Sequence, residues 1–108
     1  MIVIREVFQA RYGRGDELVA LLREIISAWD QGQHRVQVFG RRILTDASGT
    51  FFTVVMETQV EDFAAWQQYT SEEFAMPEFD AWFARMVPLV ESGRREFFTI
   101  VAEQGRPL

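Results

Sequence analysis

The chain has 108 residues, 48% of them hydrophobic and 25% charged, a globular balance for one domain that excludes disorder and allows a core without metal or disulfide. Sixteen acidic against eleven basic residues, all of the latter Arg, leave a net charge of −5. That argues against nucleic acid or an anionic membrane surface as a partner, because such binding draws on neutralised phosphates. Cys is absent, which removes disulfides, thiolate nucleophiles and Cys-bound metals.

Ile2 to Arg11, rich in Ile, Val and Phe, reads as a first strand broken by Gly13 and Gly15. The N-terminus meets charge at Arg5, too early for a signal peptide, and no apolar run nears the roughly 20 residues of a membrane span. A cytoplasmic protein is the expectation. A helix is predicted from Asp16, with Leu18, Leu21, Leu22, Ile25 and Trp29 on one face and Gly32 as its stop. His34 to Thr45 is read as the second strand, with a bulge at Gly40, and Asp46 to Gly49 as a turn. Phe51 to Thr58 completes a hairpin, and Thr58 with Glu61 fits a capping box for a short helix carrying Phe63, Trp66 and Tyr69.

Pro77 is placed in the first turn of a further helix, with Phe79, Trp82, Phe83, Met86, Val87 and Val90 as its apolar stripe. Pro88 bends or ends it, Gly93 closes it, and Glu96 to Ala102 is the fourth strand. The order is βαββαβ with a two-piece second crossover. The expected fold is α+β and ferredoxin-like, an antiparallel sheet of order 4-1-3-2 with helices on one face. Residues 1–104 are taken as one domain and 105–108 as a C-terminal tail.

Helices cover only one face of such a sheet, yet apolar residues fall on both faces of the first, third and fourth strands, as with Phe97 against Phe98. An apolar face of this size calls for a partner sheet, most simply from a second copy of the chain, with long connections of the same chain as the alternative cover.

Pro77-Glu78-Phe79-Asp80-Ala81-Trp82-Phe83, then Pro88-Leu89-Val90-Glu91-Ser92-Gly93-Arg94-Arg95-Glu96 leading into Phe97-Phe98, together with the opening strand and Gly15-Asp16-Glu17-Leu18, resemble the dimeric α/β-barrel superfamily. The resemblance is strongest to its NIPSNAP-like and antibiotic-biosynthesis-monooxygenase-like members. It implies a homodimer whose two sheets close a barrel, with a ligand cleft between each sheet and its helices. It implies no single reaction, since such proteins include oxygenases, haem-degrading enzymes, isomerases and proteins without assigned activity. Several of these oxygenases use an Asn on the first strand with Trp and His partners. This chain has no Asn and one His, which counts against haem degradation and, less strongly, against cofactor-free oxygenation.

The residues that could carry chemistry are few. His34 is a candidate general base or haem ligand by its ordinary titration range, set against a merely solvated His at a strand edge. Glu6 and Glu57 interrupt apolar strand patterns; there a carboxylate could have a raised pKa and move protons, or could be ion-paired with Arg5, Arg41 or Arg42. Trp66, Tyr69 and Tyr12 are candidates to line a cleft and stack on a flat ligand, while Trp29 and Trp82 read as core. Glu57, Trp66 and Tyr69 are expected to share one cleft. Ligand spacing for a metal is absent, so neither metal nor cofactor is expected, and Gly13-Arg14-Gly15 lacks the context of a dinucleotide loop. The two functions weighed are a small-molecule-binding barrel, acting as a cofactor-independent monooxygenase or isomerase on a hydrophobic or aromatic compound, and a non-catalytic dimeric interaction or stress-associated module.

Overall fold

Alternating branched and polar residues form the first strand, β1 (Ile2–Ala10), and the apolar stripe from Leu18 to Trp29 forms a 17-residue helix, α1 (Gly15–Gln31). In this computed structural model, which describes residues 1–105, they are followed by β2 (Gly40–Thr45), β3 (Thr53–Val60), α2 (Phe63–Phe74), α3 (Phe79–Met86), a 3-10 turn at Val87–Leu89 and β4 (Val90–Thr99). The strands are antiparallel in the order β2-β3-β1-β4, the expected 4-1-3-2 read from the other edge. The fold is α+β and ferredoxin-like. Its sheet is open, with β2 and β4 at the edges. Of the tail expected at 105–108, the last three residues lie outside the described residues.

Strand alternation divides the sheet residues between two faces. Ile2, Ile4, Val54, Met56 and Val60 face the helices and are buried there with Leu18, Leu22, Ile25, Trp29, Tyr69 and Trp82. Val3, Arg5, Val7 and Gln9 alternate with them, and so face the other way. Paired across from these are Glu57, Val55 and Phe98. The uncovered face is therefore a mixed surface, less apolar than the sequence implied. Phe51 and Phe52 lie in the β2–β3 connection, and Ile100 and Val101 lie beyond β4.

Several element ends differ from expectation, mostly because pairing partners decide them. β2 begins at Gly40, opposite Gln59, rather than at His34. One residue earlier, Phe39 donates its N–H to the Gln59 carbonyl at 2.9 Å, and beyond that β3 has ended and turned toward α2, so residues 34–38 have no strand to pair with. Gly40 pairs regularly and carries no bulge; the register shift lies at Gln9/Ala10, against β4. β4 begins six residues earlier than Glu96 because β1 pairs with it from Ala10 onward, so Gly93 lies within the strand opposite Phe8 instead of closing a helix. The polar run Glu91 to Arg95 is tolerated because β4 is an edge strand.

Asp62, not Thr58, caps α2, its Oδ1 accepting from the Ala65 N–H at 2.8 Å, while Thr58 is buried within β3. Gly32 does end α1 as expected, but with φ −88°, so a left-handed turn is not its reason. A Cβ at this position would come within 2.9 Å of His34 Nε2.

Candidate functional site

Between the sheet and the helices lies a cavity of about 220 Å³ with apolar walls and three charged side chains. Phe8 and Met56 form its floor, Leu22 and Ile25 of α1 one wall, and Phe79, Trp82, Phe83 and Met86 of α3 the other; Phe74 ends α2 at its rim. The charged groups are Glu6, Glu73 and Arg95, each placed by a different element. Glu6 sits on β1 directly opposite Arg95 of β4, so the antiparallel register itself makes their ion pair, with Arg95 Nη2 at 2.9 Å from Glu6 Oε2. Glu73 comes from α2, one turn beyond Tyr69.

Glu73, at the polar end of the cavity, is the last member of a directed hydrogen-bond chain. Arg41 of β2 donates from Nη2 to the Tyr69 hydroxyl at 2.8 Å, and Tyr69 donates onward to Glu73 Oε2 at 2.9 Å. A guanidinium can only donate, so the Tyr69 proton is left for Glu73. Arg41 Nη1 is buried and has no hydrogen-bond partner among the described residues. Burial pushes the Glu73 carboxyl above its ordinary value; the Tyr69 hydrogen bond opposes this, the nearby Glu6 carboxylate adds to the rise, and the Arg41 and Arg95 charges work against it. Burial and the Glu73 charge likewise drive the Tyr69 phenol far up, so it remains a neutral donor. The site therefore holds two carboxyl groups in opposite surroundings, Glu6 paired with a guanidinium and Glu73 pressed toward its neutral form.

The other residues expected to share a cleft are dispersed. Glu57 projects from the uncovered face of the sheet, opposite to Trp66 and Tyr69, so the expected trio does not form. Its carboxylate is bound by Arg5 Nε at 2.9 Å and Arg42 Nε at 2.6 Å. Burial would raise its pKa, but the hydrogen bonds from Arg42 and Arg5 and their charges outweigh it and hold the group below the usual carboxylate range. The expectation of a raised value fails at Glu57 because β2 and β1 each bring a guanidinium. Trp66 and Tyr69 are 8% and 1% exposed and stack on each other at 5.2 Å between ring centroids. The Arg95 guanidinium lies over Trp66 and that of Arg41 over Tyr69. Their faces are thus taken up by the protein, and the cavity's aromatic wall comes from Phe79, Trp82 and Phe83. Trp82 is core, as expected, but it also borders the cavity.

Tyr12 is 78% exposed beside Phe51 and Phe52, past the Ala10 end of β1. Trp66 and Tyr69 pack at the Ile2 end, which separates the three proposed ligand contacts. His34 lies in the β2 approach, not in a strand. Its ring stacks flat on Trp29 at 3.4 Å, Nε2 meets the Trp29 carbonyl at 2.9 Å, and Nδ1 meets Glu72 Oε1 at 3.2 Å. It borders a separate depression with Gly32 and Met76, not the cavity that holds Glu73. Glu72 is pulled down despite partial burial by hydrogen bonds from Gln68, the Arg35 and Val36 N–H groups and His34.

Sequence reasoning singled out Glu6 but missed Glu73 and Arg95. For Glu73 a signal was present: Trp66, Tyr69 and Glu73 stand at i, i+3 and i+7, one helix face. For Arg95 none was, because its role depends on where β4 begins. Among the described residues, no group of three or more His, Asp or Glu side chains is placed to hold a metal ion, and no helix is long and apolar enough to cross a membrane.

No family model matches the chain, and comparison with curated proteins finds no match. Solved structures do match. An uncharacterized NIPSNAP domain protein from Burkholderia xenovorans superposes with a TM-score of 0.80 at 20% identity, over 98% of this chain and 100% of that one. A NIPSNAP family protein from Agrobacterium tumefaciens gives 0.74 at 18% identity, over 91% and 90%. A putative antibiotic biosynthesis monooxygenase from Chloroflexus aurantiacus gives 0.70 at 13% identity, over 96% of each. The resemblance read from the α3 and β4 region therefore holds as fold: this chain has the ferredoxin-like fold of NIPSNAP-domain and antibiotic-biosynthesis-monooxygenase-like structures.

Proposed function

We propose that the protein is a homodimer, joined through the uncovered sheet faces, in which each sheet–helix cavity binds a compact hydrophobic or aromatic molecule and catalyses its isomerisation without a cofactor. The observation that carries this reading is the cavity itself, aromatic along its wall and charged at one end. A volume of about 220 Å³ lies below the roughly 300–1,000 Å³ of sites for drug-sized ligands, which suits a one-ring compound. Oxygenation, suggested by the name of the Chloroflexus aurantiacus protein, has less support than proton transfer, because the cavity offers carboxyl groups in two different environments.

The dimer draws support from the area left open. The chain exposes 7375 Å², against about 6,200 Å² for a compact monomer of its mass, and one face of its sheet has no layer of helices over it. Analytical ultracentrifugation should give about 25 kDa, twice the 12.6 kDa chain; a 12.6 kDa species at micromolar concentration would refute the assembly. Titration with acetophenone tests the cavity. Quenching of tryptophan fluorescence that disappears in Trp82→Phe supports it, and no quenching counts against it and in favour of a non-catalytic module.

A further inference from the structure

We propose that Glu73 is the catalytic proton donor of this cavity, acting with Glu6 as base on a ketone that has an exchangeable proton next to its carbonyl group. This rests on the reading of the cavity as a ligand site and names the chemistry it would serve. The orientation of the hydrogen-bond chain is the main argument. Tyr69 donates to Glu73 Oε2, and Arg41 fixes that direction by donating to Tyr69. A proton held by Glu73 is thereby directed to its other oxygen. Because Glu73 borders the cavity, that oxygen is the one free to donate to a ligand. Phe8, Met56, Phe79 and Trp82 leave the cavity wall apolar, and the other acceptor lining it, the Glu6 carboxylate, is engaged by Arg95, so a ligand's carbonyl oxygen is the natural partner for that donor.

Glu6 lines the same cavity and is paired with Arg95. Two carboxyl groups in one cavity, one salt-bridged and the other held by a phenol under apolar cover, are a usual arrangement for an acid and a base. The groups facing Glu73 are Glu6 from β1, Arg95 from β4, Arg41 from β2 and Tyr69 from its own helix. In the step, Glu6 takes the proton from the carbon beside the carbonyl. The C–H electron pair becomes a C=C bond, the carbonyl π pair moves onto oxygen, and oxygen takes the proton of Glu73. The products are the enol, protonated Glu6 and the Glu73 carboxylate. Return of the Glu6 proton to carbon and of the enol proton to Glu73 restores both groups. If the carbon that receives the proton lies further along a conjugated system, the ligand leaves isomerised, and no oxidant or reductant is consumed.

The test is exchange of the methyl protons of acetophenone for deuterium in deuterium oxide, followed by proton NMR with the intact protein. The protein should accelerate exchange above the buffer rate. Glu73→Gln, which imitates the neutral carboxyl in shape and hydrogen bonding, should bind acetophenone as before yet exchange about 100-fold more slowly. Glu72→Gln, one residue away and outside the cavity, should exchange at the wild-type rate. Absence of acetophenone binding overturns the cavity reading. Binding without accelerated exchange, equal exchange in Glu73→Gln, or an equal loss in Glu72→Gln leaves the cavity standing and overturns the role of Glu73.

Discussion

Trp82→Ala is expected to destabilise the fold by about 3–5 kcal/mol. Trp82 is 8% exposed and belongs to the cluster formed by Leu18, Leu21, Leu22, Ile25, Val54 and Met56. It also ties α3 to α1, its indole Nε1–H donating to the Leu21 carbonyl at 2.6 Å. A buried Trp removes about 150–250 Å² from water. Taking about 150 Å² of that as lost in Ala, at about 25 cal/mol/Å², gives nearly 4 kcal/mol. The adjoining cavity limits how far the walls must reorganise, but it leaves the space wet or empty. Trp82→Phe keeps most of the ring area and loses the hydrogen bond, so it should cost about 1–2 kcal/mol. Urea melts followed by far-UV circular dichroism, at matched protein concentration so that any self-association contributes equally, would measure both. A loss below about 1 kcal/mol in Trp82→Ala would refute the packing of α3 on α1, and equal losses in the two variants would refute the assignment to side-chain volume.

Glu57 should make stability acid-sensitive. Its carboxyl is held below the ordinary 4.5, so its contribution is complete above that pH and is lost as pH falls further. Glu57→Gln should lower stability at neutral pH and flatten the decline below pH 4.5; an unchanged slope in acid melts would count against the Arg5–Glu57–Arg42 arrangement. At the start of α2, Asp62→Ala should cost about 1 kcal/mol through loss of the cap. Urea melts showing no loss would mean that the Ala65 N–H finds another acceptor.

The helices and the sheet order were legible because their signals are local. The spacing from Leu18 to Trp29 names the buried face of α1 whatever surrounds it, and two βαβ-like units in a short chain leave few topologies open. Strand ends were less legible because a strand continues only while another strand lies beside it. Residues 34–38, read as strand, have no partner, whereas Glu91 to Arg95, which look like a loop, are held in β4 by β1.

The same division governs the candidate site. Glu6 stood out in the sequence because it interrupts an alternating apolar strand, and that pattern also assigns its face. Whether a carboxyl is held charged or neutral is decided by groups from other elements. Glu57 lies between guanidiniums from β1 and β2, while Glu73 meets a phenol and a second carboxylate under apolar cover. Two glutamates of one chain are thereby driven in opposite directions. Local periodicity determines which residues turn inward; only the packing of β1, β2, β4 and α2 on one another determines which charges meet there, because electrostatic interaction depends on distance through space and on the loss of surrounding water.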